Sequence, residues 1–385
     1  MHREVVDISR VPTPVHVLLV VRWPIGGIRT YLKYVLSNIP ASKIRFSIIV
    51  PDIGESEVLY DDIHNKIYNW HTYRVSKKGG YLDFFKVIRR VIREDKVELV
   101  HAHGFTSMLI CVPALLFSWC PLIFTSHDVL NQQQFRGFWG RVKRLLLRFG
   151  LSRCEKIQSV SSDAQDNLVN YFPKINKDKL EVNLNGIEVD RFNSPKAVDL
   201  RAELNIDSDK IVVGFFGRFM AQKGFRFLVE AIEILKREES SPEFHVVCFG
   251  SGAFIREEKA DIIRRGLNDD FTFAPFIPDV SGSMKGCNMI VMPSLWEACP
   301  LQPMEALCAG VPFVGSDCIG LREVLAGTPA IQVKSGDADS LARGILSCLE
   351  VSRDTFEEYA PIALERFDVR KTAEGIHALY ERALA

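Results

Sequence analysis

The chain has 385 residues, 47% of them hydrophobic, and its 48 basic side chains are balanced by 48 acidic ones, which makes it a globular protein with ample core in two or three domains. Nine cysteines, an odd number with no C-x-x-C pair, fit a reducing compartment better than a disulfide framework, and the expected home is the cytoplasm. Charge is uneven along the chain, with 26 Lys/Arg against 19 Asp/Glu in residues 1–190 and 22 against 29 in the rest, so an anionic surface is the partner hinted at for the first half.

Residues 1–14 are polar and the first apolar run, 15–21, is short, so no secretory signal is read there. That run predicts a strand, and others follow at 46–50, 98–101, 122–126, 156–160 and 180–184. Helical patterns alternate with them, which predicts right-handed βαβ units on a parallel sheet. The stretch 108–124 is the nearest thing to a membrane span, but Pro113 and Pro121 interrupt it and a buried helix followed by a buried strand explains it. A polar segment at 190–199 reads as a linker. A second series of strands then runs 211–216, 244–249, 271–274, 289–292, 313–315 and 330–333. Fold class is therefore α/β, with two doubly wound, Rossmann-like domains. No repeat of fixed period suggests a solenoid.

Two helices are basic and amphipathic. In 84–93, Phe84, Ile88, Val91 and Ile92 share a face apart from Lys86, Arg89, Arg90 and Arg93. In 141–149, Val142, Leu145, Leu146 and Phe149 oppose Arg141, Arg144 and Arg148, with Phe138 and Trp139 just upstream. Two readings stand: the apolar faces pack on the first sheet, or they meet anionic lipid at the inner face of a membrane. No recognised motif for nucleic acid accompanies them.

Chemistry-bearing residues cluster after strands, where ligands of open parallel sheets sit. In Arg22-Trp-Pro-Ile-Gly-Gly-Ile28, Gly26 and Gly27 open a helix whose free amides suit a phosphate, or they serve a tight turn only. His101 and His103 close one strand and His127 another, each a structural imidazole or a hydrogen-bond partner at a cleft edge. Without a third ligand beside His101 and His103, no metal site is read. Gly217, Arg218 and Lys223 lie in Val213-Gly-Phe-Phe-Gly-Arg-Phe-Met-Ala-Gln-Lys-Gly224, where an Arg fork and a Lys ammonium before the next helix suit a departing diphosphate, or form a solvated basic loop. Phe249-Gly-Ser-Gly252 lacks the last glycine of G-x-G-x-x-G, against a nicotinamide dehydrogenase. Finally, in Pro293-Ser-Leu-Trp-Glu-Ala-Cys-Pro-Leu-Gln-Pro-Met-Glu-Ala-Leu-Cys-Ala-Gly310, Glu297 is a loop carboxylate. Glu305 follows in the first turn of a short helix that Pro303 starts and Gly310 stops.

In order and spacing these motifs resemble glycosyltransferase family 4: Gly26-Gly27, Thr125-Ser-His127, Val160-Ser-Ser162, Leu184-Asn-Gly-Ile187, Phe216-Gly-Arg218 with Lys223-Gly224, and Glu297 with Glu305 seven residues between. The resemblance implies the GT-B architecture, two Rossmann-like domains facing across a cleft: residues 1–192, joined by the closing helix 367–385, and the donor-binding domain 193–366. It implies a retaining transferase that moves a hexosyl or N-acetylhexosaminyl group from a nucleotide diphosphate sugar to a glycan or polyprenyl-linked acceptor, in cell-surface polysaccharide biosynthesis. Gly26 and Gly27 would face the diphosphate, Arg218 and Lys223 would neutralise it, Glu305 would hold the ribose, Glu297 would orient the sugar, and His127 would lie beside the reacting carbon. Asn185, Gly217 and the backbone of Ala298, Cys299, Pro300 and Leu301 would complete the donor site, with no cofactor and no metal. Many members carry Gly/Ser-Phe-Gly where this chain has Ala298-Cys299-Pro300, and an Asp where it has Asn288. A nucleotide-sugar epimerase, a glycosyl phosphorylase or a silent binding subunit of the same architecture would share much of this pattern.

Overall fold

A computed structural model describes residues 14–75, 80–116, 118–275, 277 and 279–385. Residues 1–13, read above as a polar start, residues 76–79, and residue 117 within the stretch 108–124 lie outside the described residues. The chain divides into two compact units.

The first unit carries seven parallel strands in the order β3-β2-β1-β4-β5-β6-β7: β1 (Val15–Val21), β2 (Ile44–Pro51), β3 (Ile67–Tyr73), β4 (Leu99–His103), β5 (Leu122–Ser126), β6 (Lys156–Ser159) and β7 (Leu180–Val182). Its connecting helices are α1 (Gly27–Ser37), α2 (Gly54–Ile63), α3 (Tyr81–Glu94), α4 (Phe105–Ala114), α5 (Gly137–Arg153) and α6 (Ser162–Tyr171). β1 and β4 are buried over almost their whole length, as expected for strands covered on both faces. The segment 108–124 is part of α4, a loop and β5, and no helix among the described residues is long and apolar enough to cross a membrane.

β3 and α2 escape the periodicity reading. β3 is a half-exposed edge strand of mixed polarity, and two of its polar side chains are held by a carboxylate: Asn69 Nδ2 and His71 Nε2 lie 2.8 and 3.0 Å from Asp95 Oδ2. Hydrogen bonding of this kind lets a polar sequence join a sheet that hydrophobic alternation alone would not predict.

The second unit is a six-stranded parallel sheet, β10-β9-β8-β11-β12-β13, built from β8 (Ile211–Phe216), β9 (Phe244–Phe249), β10 (Phe271–Ala274), β11 (Met289–Met292), β12 (Phe313–Ser316) and β13 (Ile331–Val333). Around it lie α7 (Leu200–Leu204), α8 (Phe225–Arg237), α9 (Ile255–Arg264), α10 (Ser281–Gly286), α11 (Gln302–Cys308), α12 (Leu321–Leu325), α13 (Ala338–Glu350) and α14 (Arg353–Arg366). Its core joins β8, β9 and β11 to α8 and α13 through Val213, Phe215, Phe225, Leu228, Val291 and Ile345. Asn288, unusual at its position, packs by hydrogen bonding: its Oδ1 accepts from Val212 N at 2.8 Å and Arg201 Nη2 at 3.1 Å. All nine cysteines are free, and eight are buried.

The unit boundaries fall at other residues than 192 and 366. Val160–Leu168 and Leu184–Lys371 belong to the second unit, while Val169–Asn183 and Thr372–Ala385 belong to the first. Local bonds explain this. Glu323 accepts from the amides of Ser162 and Asp163, Asp163 pairs with Arg322, and the backbone of Ile187 bonds to Phe367 and Val369. The closing helix α15 (Val369–Leu384) thus starts on the second unit's bonds and runs into the first, where Tyr380 meets His101.

Candidate active site

In the second unit the loop after β8 is drawn tight by glycine. Gly224 has φ 63°, and a Cβ there would lie 2.0 Å from the Pro293 carbonyl oxygen, so the loop ending in the turn Ala221–Lys223 rests on the loop after β11. Gly217 donates its amide to Phe249 O at 2.9 Å. Gly250 packs against Gly217 so closely that a Cβ would meet the Gly217 carbonyl at 1.9 Å. Glycine is required at both contacts because two backbones share the space.

The loop 293–301 is held from several sides. Leu295 N donates to Gln222 O at 2.8 Å and Glu297 N to Ile319 O at 3.0 Å. Ser294 O accepts from the hydroxyls of Ser316 and Ser335. Gly320, at φ 75°, presses on the carbonyls of Glu297 and Ala298. Ser161 Oγ donates to Ala298 O at 2.5 Å and Asn185 Nδ2 to Cys299 O at 3.1 Å.

Glu297 is 7% exposed, and its carboxylate is satisfied by protein: Lys223 Nζ at 2.7 Å and Ser294 Oγ at 2.8 Å on Oε1, Gln222 Nε2 at 3.4 Å on Oε2. Lys223 therefore does not stand as a free cation beside Arg218. It is one half of a largely buried ion pair. Arg218 is exposed and makes no hydrogen bond or ion pair among the described residues, so its guanidinium is the available charge at this mouth.

Glu305 sits in the first turn of α11, behind Pro303, as expected. It is half-buried, and burial pushes its carboxyl up to about 7, with nearby Arg191 pulling down and Asp279 pushing up. A carboxyl titrating near neutrality is poised to change charge with its surroundings. Among the described residues Glu297 and Glu305 share no bond: the Glu297 carboxylate is held by Lys223, Ser294 and Gln222, and Glu305 is influenced by the charges of Arg191 and Asp279.

In the first unit, Gly26 (φ 59°, ψ −129°) precedes α1, and a Cβ on Gly27 would meet nothing within 4 Å, leaving room beside the helix's first amides. One turn later, the Tyr31 ring packs edge-on to His127 at 4.9 Å between centroids. His127 Nε2 lies 3.0 Å from His103 Nδ1, and His101 bonds Tyr380 and Thr125 at 2.8 and 2.6 Å. Burial lowers His101 and His127 to about 3 and holds His103 well below the usual imidazole range, so all three are neutral imidazoles. Among the described residues no group of three or more His, Cys, Asp or Glu is arranged to hold a metal ion.

The structure joins Lys223 to Glu297 and Asn185 to Cys299, with Gly217 beside the Lys223 stem. It gives Ser161 of the Val160-Ser-Ser162 motif a bond to Ala298 O, and it adds Gln222 and Ser294, whose parts were not legible because an isolated Ser or Gln carries no spacing signal.

Two family models match the chain, Glycosyltransferase Family 4 over residues 25–191 and Glycosyl transferases group 1 over residues 210–351. Among curated relatives, a 2-deoxystreptamine N-acetyl-D-glucosaminyltransferase of Streptomyces fradiae is 26% identical, covering 73% of this chain and 69% of that protein. A D-inositol 3-phosphate glycosyltransferase of Arthrobacter sp. is 23% identical, covering 93% of this chain and 91% of its own. The crystal structure of Anabaena Alr3699/HepE in complex with UDP and glucose superposes with TM-score 0.81 at 19% identity, over 95% of this chain and 99% of that one. WaaG, a glycosyltransferase involved in lipopolysaccharide biosynthesis, gives 0.72 at 15% over 94% and 98%. The two models together take in most of the sequence, and both sheets carry the Rossmann-like parallel order. This chain belongs to glycosyltransferase family 4, with a GT-B fold.

Proposed function

We propose that this glycosyltransferase is a retaining enzyme that moves a hexosyl or N-acetylhexosaminyl group from a nucleotide diphosphate sugar to a glycan or lipid-linked acceptor, in assembly of a cell-surface polysaccharide. The observation that carries the reading is the Lys223–Glu297 pair, held at 2.7 Å at the carboxyl ends of β8 and β11 with the unpaired Arg218 on the same loop. Fixed cationic donors at such a position suit a leaving group whose negative charge grows. Arg218 takes a phosphate oxygen by its fork, and Lys223, oriented by Glu297, supplies a second charge. Glu297 and the backbone of Ala298, Cys299, Pro300 and Leu301 meet the sugar; Asn185 steadies that backbone. Ionised Glu305 accepts from the ribose hydroxyls. The Gly26-Gly27 amides serve the diphosphate and His127 the transferred sugar. In the reaction the anomeric carbon–phosphate oxygen bond breaks, the acceptor hydroxyl attacks the same face, and its proton passes to the departing phosphate oxygen. No basic side chain is needed for that step.

The UDP-bound relatives support a uridine donor first. A thermal-shift screen over UDP, GDP and ADP and their sugars, followed by product analysis, tests the reading, since a ligand that binds the native state raises its melting temperature. Transfer with retained anomeric configuration is expected. Sugar interconversion without an acceptor would indicate an epimerase, and release of sugar phosphate a phosphorylase; either would end the proposal.

Contact with an anionic phospholipid surface belongs to the same reading, through α5 alone. The two basic helices looked alike in sequence, but Phe84, Ile88 and Val91 of α3 are buried. On α5, Phe138 and Trp139 are 70% and 79% exposed, with Leu145, Leu146 and Phe149 also open. An open groove of about 910 Å³ beside them is lined by Arg141, Arg144, Arg148 and Lys174, none of which pairs with a carboxylate among the described residues. Apolar side chains among unpaired cations complement an anionic bilayer, at about 1 kcal/mol per cation near its surface. Sedimentation with phosphatidylglycerol vesicles at low salt should retain the protein, and loss of binding in Arg141→Ala/Arg148→Ala is expected; no binding at low salt refutes the contact.

A further inference from the structure

The three histidines of the first unit raise a question that the reaction above leaves open: which nitrogen of His127 carries its hydrogen. His103 Nδ1 and His127 Nε2 lie 3.0 Å apart with rings inclined by 25°. Two neutral imidazoles at that distance share one hydrogen. If His127 supplied it, His103 would carry its own hydrogen on Nε2. That atom is buried without a partner in a side chain only 3% exposed, and leaving a buried N–H unsatisfied costs the desolvation of a donor. If His103 supplies it, the orphan is a lone pair instead, on a ring whose aromatic neighbours are His101 and Tyr31, at 4.2 and 5.9 Å between ring centroids. The second arrangement costs less.

We infer that His103 is a positioning residue, whose Nδ1–H donates to His127 Nε2 and thereby fixes His127 as the Nδ1–H tautomer. His127 Nδ1 has no protein partner among the described residues and is not one of the sealed, unpartnered atoms. It is thus presented as a hydrogen-bond donor. The ring can orient an oxygen of a ligand and cannot accept a proton through the nitrogen that faces it. The groups packed around the pair are Tyr31 from α1, His101 from β4 and, beyond His101, Thr125 and Tyr380. No carboxylate among them would draw a second proton onto either ring. The sugar-binding use of that donor rests on the function proposed above; the tautomer does not.

The test is nitrogen NMR of the ¹⁵N-histidine-labelled full chain, with the His127 signals assigned by their loss in His127→Asn. Wild type should show His127 protonated at Nδ1 and bare at Nε2, unchanged from pH 5 to 9. In His103→Phe the donor is gone, and His127 should move toward the Nε2–H form that histidine prefers in water. His103→Asn, whose Nδ2 can stand where Nδ1 stood, should keep the wild-type pattern. In transfer assays the Phe variant should lose about tenfold in kcat, the scale of one hydrogen bond, with KM for the nucleotide sugar within about twofold, and the Asn variant should recover most of that loss. An Nε2–H His127 in wild type, or a His127 pattern indifferent to His103→Phe, overturns the inference. So does a changed tautomer with unchanged kcat, which would deny His103 a positioning role. Wild type that transfers no sugar would refute the function instead, while the spectra still decide the tautomer.

Discussion

Removing the ammonium of Lys223 tests the arrangement of the site more sharply than any activity measurement. In Lys223→Met the stem stays and the charge goes, leaving Glu297 buried with Ser294 Oγ and a 3.4 Å contact to Gln222. At 2.7 Å and an effective dielectric constant of about 20, the two charges attract by about 6 kcal/mol. Desolvation of both groups offsets part of that, and deleting one partner of a fully buried pair typically costs about 3–5 kcal/mol. The side chains here are 19% and 9% exposed, so the carboxylate keeps some water and some freedom to protonate; about 2–4 kcal/mol is the expected loss. For a unit of this size that is roughly 5–15 °C in Tm. Glu297→Gln should cost about 1–3 kcal/mol, because the stranded ammonium reaches solvent more easily. The double variant should lose about 2 kcal/mol less than the sum of the singles. Calorimetry and circular dichroism melts of the four proteins measure this. Additive losses, or singles within about 0.5 kcal/mol of wild type, would show that the pair is not made. The effect of Lys223→Met on turnover, about 10²–10³-fold, must be measured well below the melting point of the variant.

Arg218→Ala should behave in the opposite manner: exposed and unpaired, it should leave Tm within about 1 °C while transfer falls on the order of 100-fold in steady-state assays. Glu305 predicts a pH signature. Its folded carboxyl titrates near 7, above the ordinary 4.5, so the folded state holds the proton more tightly. Its contribution to stability is present below about 4.5, is lost as pH rises to about 7, and is flat above. Glu305→Gln should accordingly gain on the order of 1–3 kcal/mol relative to wild type between pH 4.5 and 8, read by urea unfolding at both values; a constant difference would refute the raised titration of Glu305. Calorimetric affinity for UDP should rise between pH 6 and 8 in wild type and not in that variant. Gly224→Ala, whose Cβ would lie 2.0 Å from the Pro293 carbonyl at φ 63°, should cost more than about 2 kcal/mol and lower transfer with it, checked by the same melts and assays.

Much of this protein is written locally. The alternation of apolar runs with helical patterns is enough for two parallel sheets, because strands covered on both faces must be hydrophobic. Pro303 and Gly310 bound α11 by what their backbones can adopt, and Glu305 stands where that helix puts it. Glycine pairs and strand-end histidines mark the loops that could carry chemistry. What the sequence leaves undecided depends on partners far along the chain. Lys223 and Glu297 are 74 residues apart, and nothing in either loop says that they neutralise each other. Ser161 and Asn185 take their meaning only from the Ala298 and Cys299 carbonyls they bond. Two helices with the same basic amphipathic pattern meet different fates, α3 buried and α5 open, because periodicity states which face is apolar and not whether something covers it. The raised carboxyl of Glu305 and the hydrogen between His103 and His127 likewise follow from burial and distance, which only the folded chain supplies.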